Sequence, residues 1–288
     1  MTPHLSIVMG VGGNLSDDLL DRLKFSVGSI QNWAWLRQSY TPIEIVIVEW
    51  NICLRDTGKV ESVVEKWSEN FAIRIIHTPR ELHASLPNPH GFRYFEWYPK
   101  NVGIRRAKGE FVLSTNPDDL WSDELAEFIS RRELQHGHFY RVNRHDTRDG
   151  KVFRICYPTG GHGPDESPEQ VKIPSSPRAC PWSEDMLHFS AAGDFTLMSR
   201  DDWFMIHGNP EQPYNDTVDG QTVWLAHTKG LKQVILPYPI YHPDHARTLN
   251  RDANGQLAGP HWDDNNPFTQ ENGEDWGFAD MEFEETVL

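Results

Sequence analysis

Cysteine is scarce in this chain, with three residues (Cys53, Cys156 and Cys180) in 288. An odd number at irregular spacing makes no disulfide frame, so they read as reduced thiols of a cytoplasmic protein. Basic charge is short as well: 27 Lys and Arg stand against 42 Asp and Glu, a formal net charge of −15. That excludes a duplex nucleic-acid binder, which needs a broad basic footprint, and a protein held to anionic lipid by polybasic segments. No run approaches the roughly 20 apolar residues of a membrane span. An apolar strand pattern that begins at Leu5 leaves no room for a signal peptide. Internal repeats and low-complexity segments are missing too.

What is present suits a globular core: 38% hydrophobic and 24% charged residues over a length of one large or two small domains. Eleven Trp fit either an aromatic core or a protein that packs flat rings on the apolar faces of sugars. The first half alternates short apolar runs with amphipathic segments. Leu5–Met9 ends in a Gly-rich turn, Gly10 to Asn14, which carries no charged residue. Ser16 then caps a helix with Asp17 and Asp18 in its first turn and a stripe of Leu19, Leu23, Val27 and Ile30. Ile43–Val48 is a buried strand closed by Glu49, 60–69 a helix, and Ile73–Ile76 a third strand. Asn101–Lys108 reads as a helix and Phe111–Thr115 as a fourth strand before Asn116-Pro117-Asp118-Asp119; Ser122 opens another helix. This order predicts an α/β fold with a mostly parallel central sheet and helices on both faces, and places Glu49 and Asp118 at strand ends where ligands of such sheets bind.

The second half is less regular. Residues 157–182 hold six Pro and three Gly, and read as either an acceptor-side lid or a disordered insert. Phe195–Met198 is a strand, Thr222–Lys229 a helix stopped by Gly230, and Gln233–Tyr241 the last strand. Residues 251–288, with ten acidic residues and one basic, form an acidic extension that Trp262, Phe268, Trp276 and Phe278 can tie to the surface.

Three constellations carry chemistry. Lys100, Arg105 and Arg106 precede a strand that delivers Asn116 and Asp118 to its tip. Cations beside a tip carboxylate suit a metal-bound diphosphate, since carboxylate and phosphate oxygens are hard ligands for Mg²⁺ or Mn²⁺; the same letters also make an ordinary Asp-rich turn. Residues 191–211 lead to Gly208-Asn209-Pro210-Glu211 and on to Asp216 and Asp219, and Asp219 is equally a helix N-terminal acid favoured by the dipole. Tyr241-His242-Pro243-Asp244-His245-Ala246-Arg247 sets two imidazoles three residues apart, a metal or phosphate site or a chance pair of loop histidines. Arg141, Arg144 and Asp146 either orient a donor or simply pair on a strand.

Asn101-Val102-Gly103, Ala107-Lys108-Gly109-Glu110 and Asn116-Pro117-Asp118 together resemble the nucleotide-sugar-dependent glycosyltransferases of the GT-A fold, in which such a helix precedes a strand ending in Asp-x-Asp. The resemblance covers most of residues 4–246 and implies a catalytic domain over 1–250, with a nucleotide-binding half (1–120) and an acceptor-binding half (121–250). It implies a metal-dependent transfer from a nucleoside diphosphate sugar, in the first instance a UDP-sugar, to a hydroxyl of a glycan acceptor. Asp118 with His242 or His245 would hold Mn²⁺ or Mg²⁺, imidazole favouring manganese. Glu49, Lys100, Asn101, Arg105 and Asn116 would bind the donor. Asn116 stands where the first Asp of the triplet belongs. Asp219 would be the general base of an inverting reaction, with Asp194 its rival. Two other classes remain open: a sugar-phosphate nucleotidylyltransferase, disfavoured by the lack of Arg or Lys in 10–14, and a non-catalytic carbohydrate-binding protein that kept the fold.

Overall fold

A computed structural model describes residues 2–31, 41–69, 71–87, 92–156, 187–189, 193–213, 218–245 and 271–288. The Pro-rich segment 157–182 with Trp182 and Cys180, as well as Asp216, Trp262, Phe268 and the end of the 241–247 motif, lie outside them. In chain order the elements are β1 (Leu5–Gly12), α1 (Asp17–Gln31), β2 (Ile43–Trp50), α2 (Lys59–Val64), β3 (Ala72–His77), α3 (Arg80–Ala84), α4 (Trp97–Arg106), β4 (Phe111–Thr115), β5 (Leu120–Trp121) and α5 (Asp123–Ser130). There follow β6 (His138–Arg148), β7 (Lys151–Cys156), β8 (Phe195–Ser199), α6 (Arg200–Met205), α7 (Val218–Thr228), β9 (Lys232–Pro243) and β10 (Glu284–Val287).

The strands form one sheet in the order β10-β3-β2-β1-β4-β8-β6-β9-β5, with β7 paired to β6. β3, β2, β1 and β4 are mutually parallel, and β6 and β9 share their direction. β5, β7, β8 and β10 run the other way. Alternation along each strand splits the core into two layers. Ile43, Ile45 and Ile47 of β2 face a cluster with Leu23 and Val27 of α1 and Ile129 of α5. Val46, Val48 and Trp50 face Tyr98 and Val102 of α4 and Trp203 of α6. Helix α4 lies so close to the sheet that a Cβ on Gly103 would come within 2.4 Å of Val8 Cγ1. Ser16 and Ser122 cap α1 and α5 as expected, accepting from the backbone N–H of Leu19 and Leu125.

Two expectations need correction. Gln233–Tyr241 belongs to β9 but is not the last strand, because β10 follows and pairs antiparallel with β3. The acidic C-terminal residues are accordingly no mere surface wrap. Arg74 of β3 donates to both carboxylate oxygens of Glu285 at 2.9–3.1 Å while pairing with the buried Glu44. Trp276 is 1% exposed, packed against Phe204 and the guanidinium of Arg105. Among the described residues no helix is long and apolar enough to cross a membrane.

Emptying the Trp276 site leaves a large cavity, so Trp276→Ala is expected to destabilise the fold by about 3–5 kcal/mol. The urea midpoint measures it; a loss under about 1 kcal/mol would mean that the tail only lies on the surface.

Candidate active site

Strand order reverses between β1 and β4, and the crevice beyond their carboxyl ends is where open α/β sheets bind ligands. The tip of β4 is shaped for that place. Asp119 is buried, and its Oδ2 accepts from Thr115 Oγ1 and from the Asn116 N–H, both at 3.1 Å, closing the turn. Ser26 of α1 donates to the Asp119 carbonyl at 2.8 Å. Burial, helped by the charges of Asp194 and Asp118, pushes the Asp119 carboxyl well above the usual range.

Asp118 is therefore held with its carboxylate turned inward, 7% exposed. Its Oδ2 lies 3.1 Å from His245 Nε2 and 3.7 Å from His242 Nε2, and accepts a short hydrogen bond from Arg22 Nη1. Burial opposes its charge, but the His245 hydrogen bond and the charges of His242 and Arg22 outweigh burial and bring its pKa down to about 2. Donor atoms of Asp118, His242 and His245 all lie within 4.8 Å of one another, a group that could hold a metal ion. One carboxylate and two imidazoles form a donor set that suits Mn²⁺ better than Mg²⁺.

Behind this group runs a line of charges. His242 Nδ1 is 3.3 Å from Asp146 Oδ1, which is 3.0 Å from Arg144 Nε. Arg144 Nη1 reaches Asp194 Oδ2 at 2.5 Å, and Asn116 Nδ2 donates to Asp194 Oδ1 at 2.5 Å. Asn116 Oδ1 accepts from Lys100 Nζ at 2.7 Å, and the same ammonium donates to Glu96 Oε1 at 2.5 Å and the Gly193 carbonyl at 2.7 Å. Gly193 in turn gives its N–H to Asp219 Oδ2 at 3.2 Å. A Cβ on Gly193 would sit 3.1 Å from Glu96 Oε1 and 3.8 Å from Asp219 Cβ, so Glu96, Asp194 and Asp219 surround one glycine. Burial raises Asp219 above the usual carboxylate range, against the N–H groups of Gly220 and Gly193 and the charge of Arg141. Burial raises Glu96 likewise, against Lys100. Arg141, wholly buried, is brought down to about 10 by burial against the charges of Asp219 and Asp194.

The sequence-based set thus divides. Asp118, His242, His245, Asn116, Asp194 and Asp219 converge. Helix α7 starts a turn earlier than expected, which puts Asp219 inside its first turn. Three of the expected donor-binding side chains are engaged within the protein. Lys100 is fully buried and committed to Glu96, Asn116 and Gly193, so it braces the site from behind. Asn101, also fully buried, spends its amide on Asn209 and Glu211 at 2.7–3.1 Å, where Gly208 at φ +72° leaves no room for a side chain beside Asn101 Oδ1. Arg105 donates to the Trp276 carbonyl at 3.0 Å in the tail contact. Glu49 is buried at the end of β2, with Oε2 2.7 Å from His77 Nδ1 and Oε1 without a hydrogen-bond partner in the described structure. Arg22 and Glu96 escaped the sequence reading, although each sits four residues from an opposite charge, Asp18 and Lys100, on its helix.

Because its folded pKa lies below the ordinary 3.8, ionised Asp118 contributes stability above that value that fades as pH falls toward 2. In chelator-treated protein the stability advantage over Asp118→Asn should shrink by about 1 kcal/mol between pH 5 and pH 3. A gap that stays constant in denaturant titrations would contradict the ion cluster.

Neither a protein-family model nor a curated protein matches the chain. Solved structures do. Residues 1–349 of S. aureus TarS superpose with a TM-score of 0.51 at 14% identity, over 83% of this chain and 60% of that one. The same fragment in complex with UDP-GlcNAc gives 0.52 at 14% identity, over 84% and 59%. The chain spans about 60% of the length of that fragment. At this identity the likeness is one of fold. The chain therefore has a GT-A-like α/β fold, shared with the TarS fragment.

Proposed function

We propose that the protein is a metal-dependent glycosyltransferase that moves a sugar from a nucleoside diphosphate donor, a UDP-sugar in the first instance, to an acceptor hydroxyl with inversion. The observation that carries this reading is the juxtaposition, beyond the strand ends, of the Asp118–His242–His245 group with the Glu96, Asp194 and Asp219 carboxylates. The complex of the similarly folded TarS fragment with UDP-GlcNAc supports the donor class.

A divalent ion held by Asp118, His242 and His245 would neutralise charge growing on the departing diphosphate. Glu49, with a buried oxygen lacking a partner, is suited to accept a donor N–H or O–H from the nucleoside. Asp219 fits the base. Among the described residues its oxygens accept only the backbone N–H groups of Gly193 and Gly220, whereas both oxygens of Asp194 are taken by Asn116 and Arg144. Asp219 removes the acceptor proton as the hydroxyl oxygen attacks C1 and the C1–diphosphate bond breaks. A raised pKa brings its basicity closer to the working pH. Asp194 then anchors Arg144 and Asn116.

Incubation with a panel of nucleotide sugars and Mn²⁺, reading nucleotide release, tests the class; no release with any donor overturns it. Asp219→Asn should cut kcat by about 10²–10⁴-fold with little change in donor KM. In the wild type kcat/KM should fall as pH drops through a value above 3.8, because the base must be ionised. Wild-type rates in Asp219→Asn would move the base elsewhere.

A further inference from the structure

The Gly-rich turn Gly10 to Asn14 has no cation, yet the structure brings one to the same crevice from further along α1. Arg22 is bonded through Nη1 to Asp118 Oδ2, the oxygen that also faces both imidazoles. Its Nε and Nη2 each lie 3.2 Å from Oδ2 of Asp18, one helical turn back. One guanidinium therefore bridges a buried carboxylate, Asp118, and an exposed one, Asp18, whose side chain is 70% exposed.

These contacts conflict with metal binding at one atom. A divalent ion using the two imidazoles and Asp118 Oδ2 needs the lone-pair directions that Arg22 occupies, and two cations side by side repel in a poorly hydrated site. Arg22 has somewhere to go, because five N–H donors in a rigid fork let it keep Asp18 while releasing Asp118. Without metal, by contrast, a buried Asp118 needs a cation.

From this we propose that Arg22 is the resident counter-cation of the metal site: it neutralises Asp118 in the metal-free protein, competes with the ion for Asp118 Oδ2, and turns toward Asp18 when the ion binds. The proposal rests on the metal reading of the site and adds a residue that sets metal affinity. It also couples the ion to the donor. A guanidinium released from Asp118 stands beside the place a metal-bound diphosphate would take, so an anionic ligand that engages it favours metal binding, and by reciprocity the metal favours that ligand.

The test is Mn²⁺ binding to chelator-stripped protein, read from the electron paramagnetic resonance signal of free Mn²⁺ and independent of turnover. Arg22→Gln should bind Mn²⁺ about tenfold more tightly than wild type, within the usual range of coupling between sites. Asp18→Asn removes the alternative partner and should shift affinity the other way, and that shift should vanish in the Arg22→Gln background. Because Asp18 is exposed, its variant tests the idea even if Arg22→Gln folds poorly. Equal or weaker affinity in folded Arg22→Gln, or an Asp18→Asn effect that persists without Arg22, overturns the role of Arg22 and leaves the metal reading standing. Absence of Mn²⁺ binding by both wild type and Arg22→Gln removes the metal reading, and the role of Arg22 with it.

Discussion

Buried charge in this protein has to be paired, and that constraint organises the crevice. From Lys100 through Asn116, Asp194, Arg144, Asp146 and His242 to Asp118 and Arg22, groups of opposite sign or matched hydrogen-bonding capacity follow one another across β4, β6, β8, β9 and two helices. An isolated ion in such surroundings loses far more hydration than a surface ion does. Each member is therefore held in place by its neighbours. This is the preorganisation a charge-developing reaction requires.

The same helix that braces the site is anchored at its other end to the C-terminal residues. Glu96 and Lys100 open α4 toward the crevice, while Arg105 and Arg106 at its close donate to the carbonyls of Trp276, Gly277, Phe278 and Met281. Asn101 lies between, bonded to the Gly208–Glu211 turn, and Glu211 also accepts the Gly277 N–H at 2.8 Å. Residues 271–288 thus support the crevice structurally, and Glu285 among them is met at the sheet edge by Arg74.

How far the sequence disclosed this depended on what each residue type is for. Strands buried on both faces, such as Ile43–Val48, show as unbroken apolar runs, and helices with Ser caps announce their starts; the parallel half was legible for those reasons. β6 was harder. Its Arg141, Arg144 and Asp146 feed the charge network, so it lacks an apolar signature. β10 has four residues, two of them Glu, and is a strand only because Arg74 and β3 receive it. Among the candidate site residues, Asp118 and the two histidines could be picked out by chemistry and spacing, and the fold brings them together. Lys100, Asn101 and Arg105 bond to groups that sequence spacing could not name, since a motif fixes where a backbone goes and packing decides what a side chain meets there. Arg22 and Glu96 were hidden as ordinary i,i+4 helix pairs.

The Asn at position 116 follows from the same charge accounting. Its Nδ2 lies 2.5 Å from Asp194 Oδ1 and its Oδ1 2.7 Å from Lys100 Nζ, so the position needs a donor on one side and an acceptor on the other. An Asp here would set a carboxylate against Asp194 in a crevice that already holds Glu96, Asp118, Asp119 and Asp219, and would raise the pKa of several of them at once. With an amide at that corner, Asp118 is the only carboxylate of the Asn116-Pro117-Asp118 triplet. Beside it stand the imidazoles of His242 and His245, which bring no further carboxylate to the crevice. The amide at position 116 thus spares the crevice a further buried carboxylate beside Asp194.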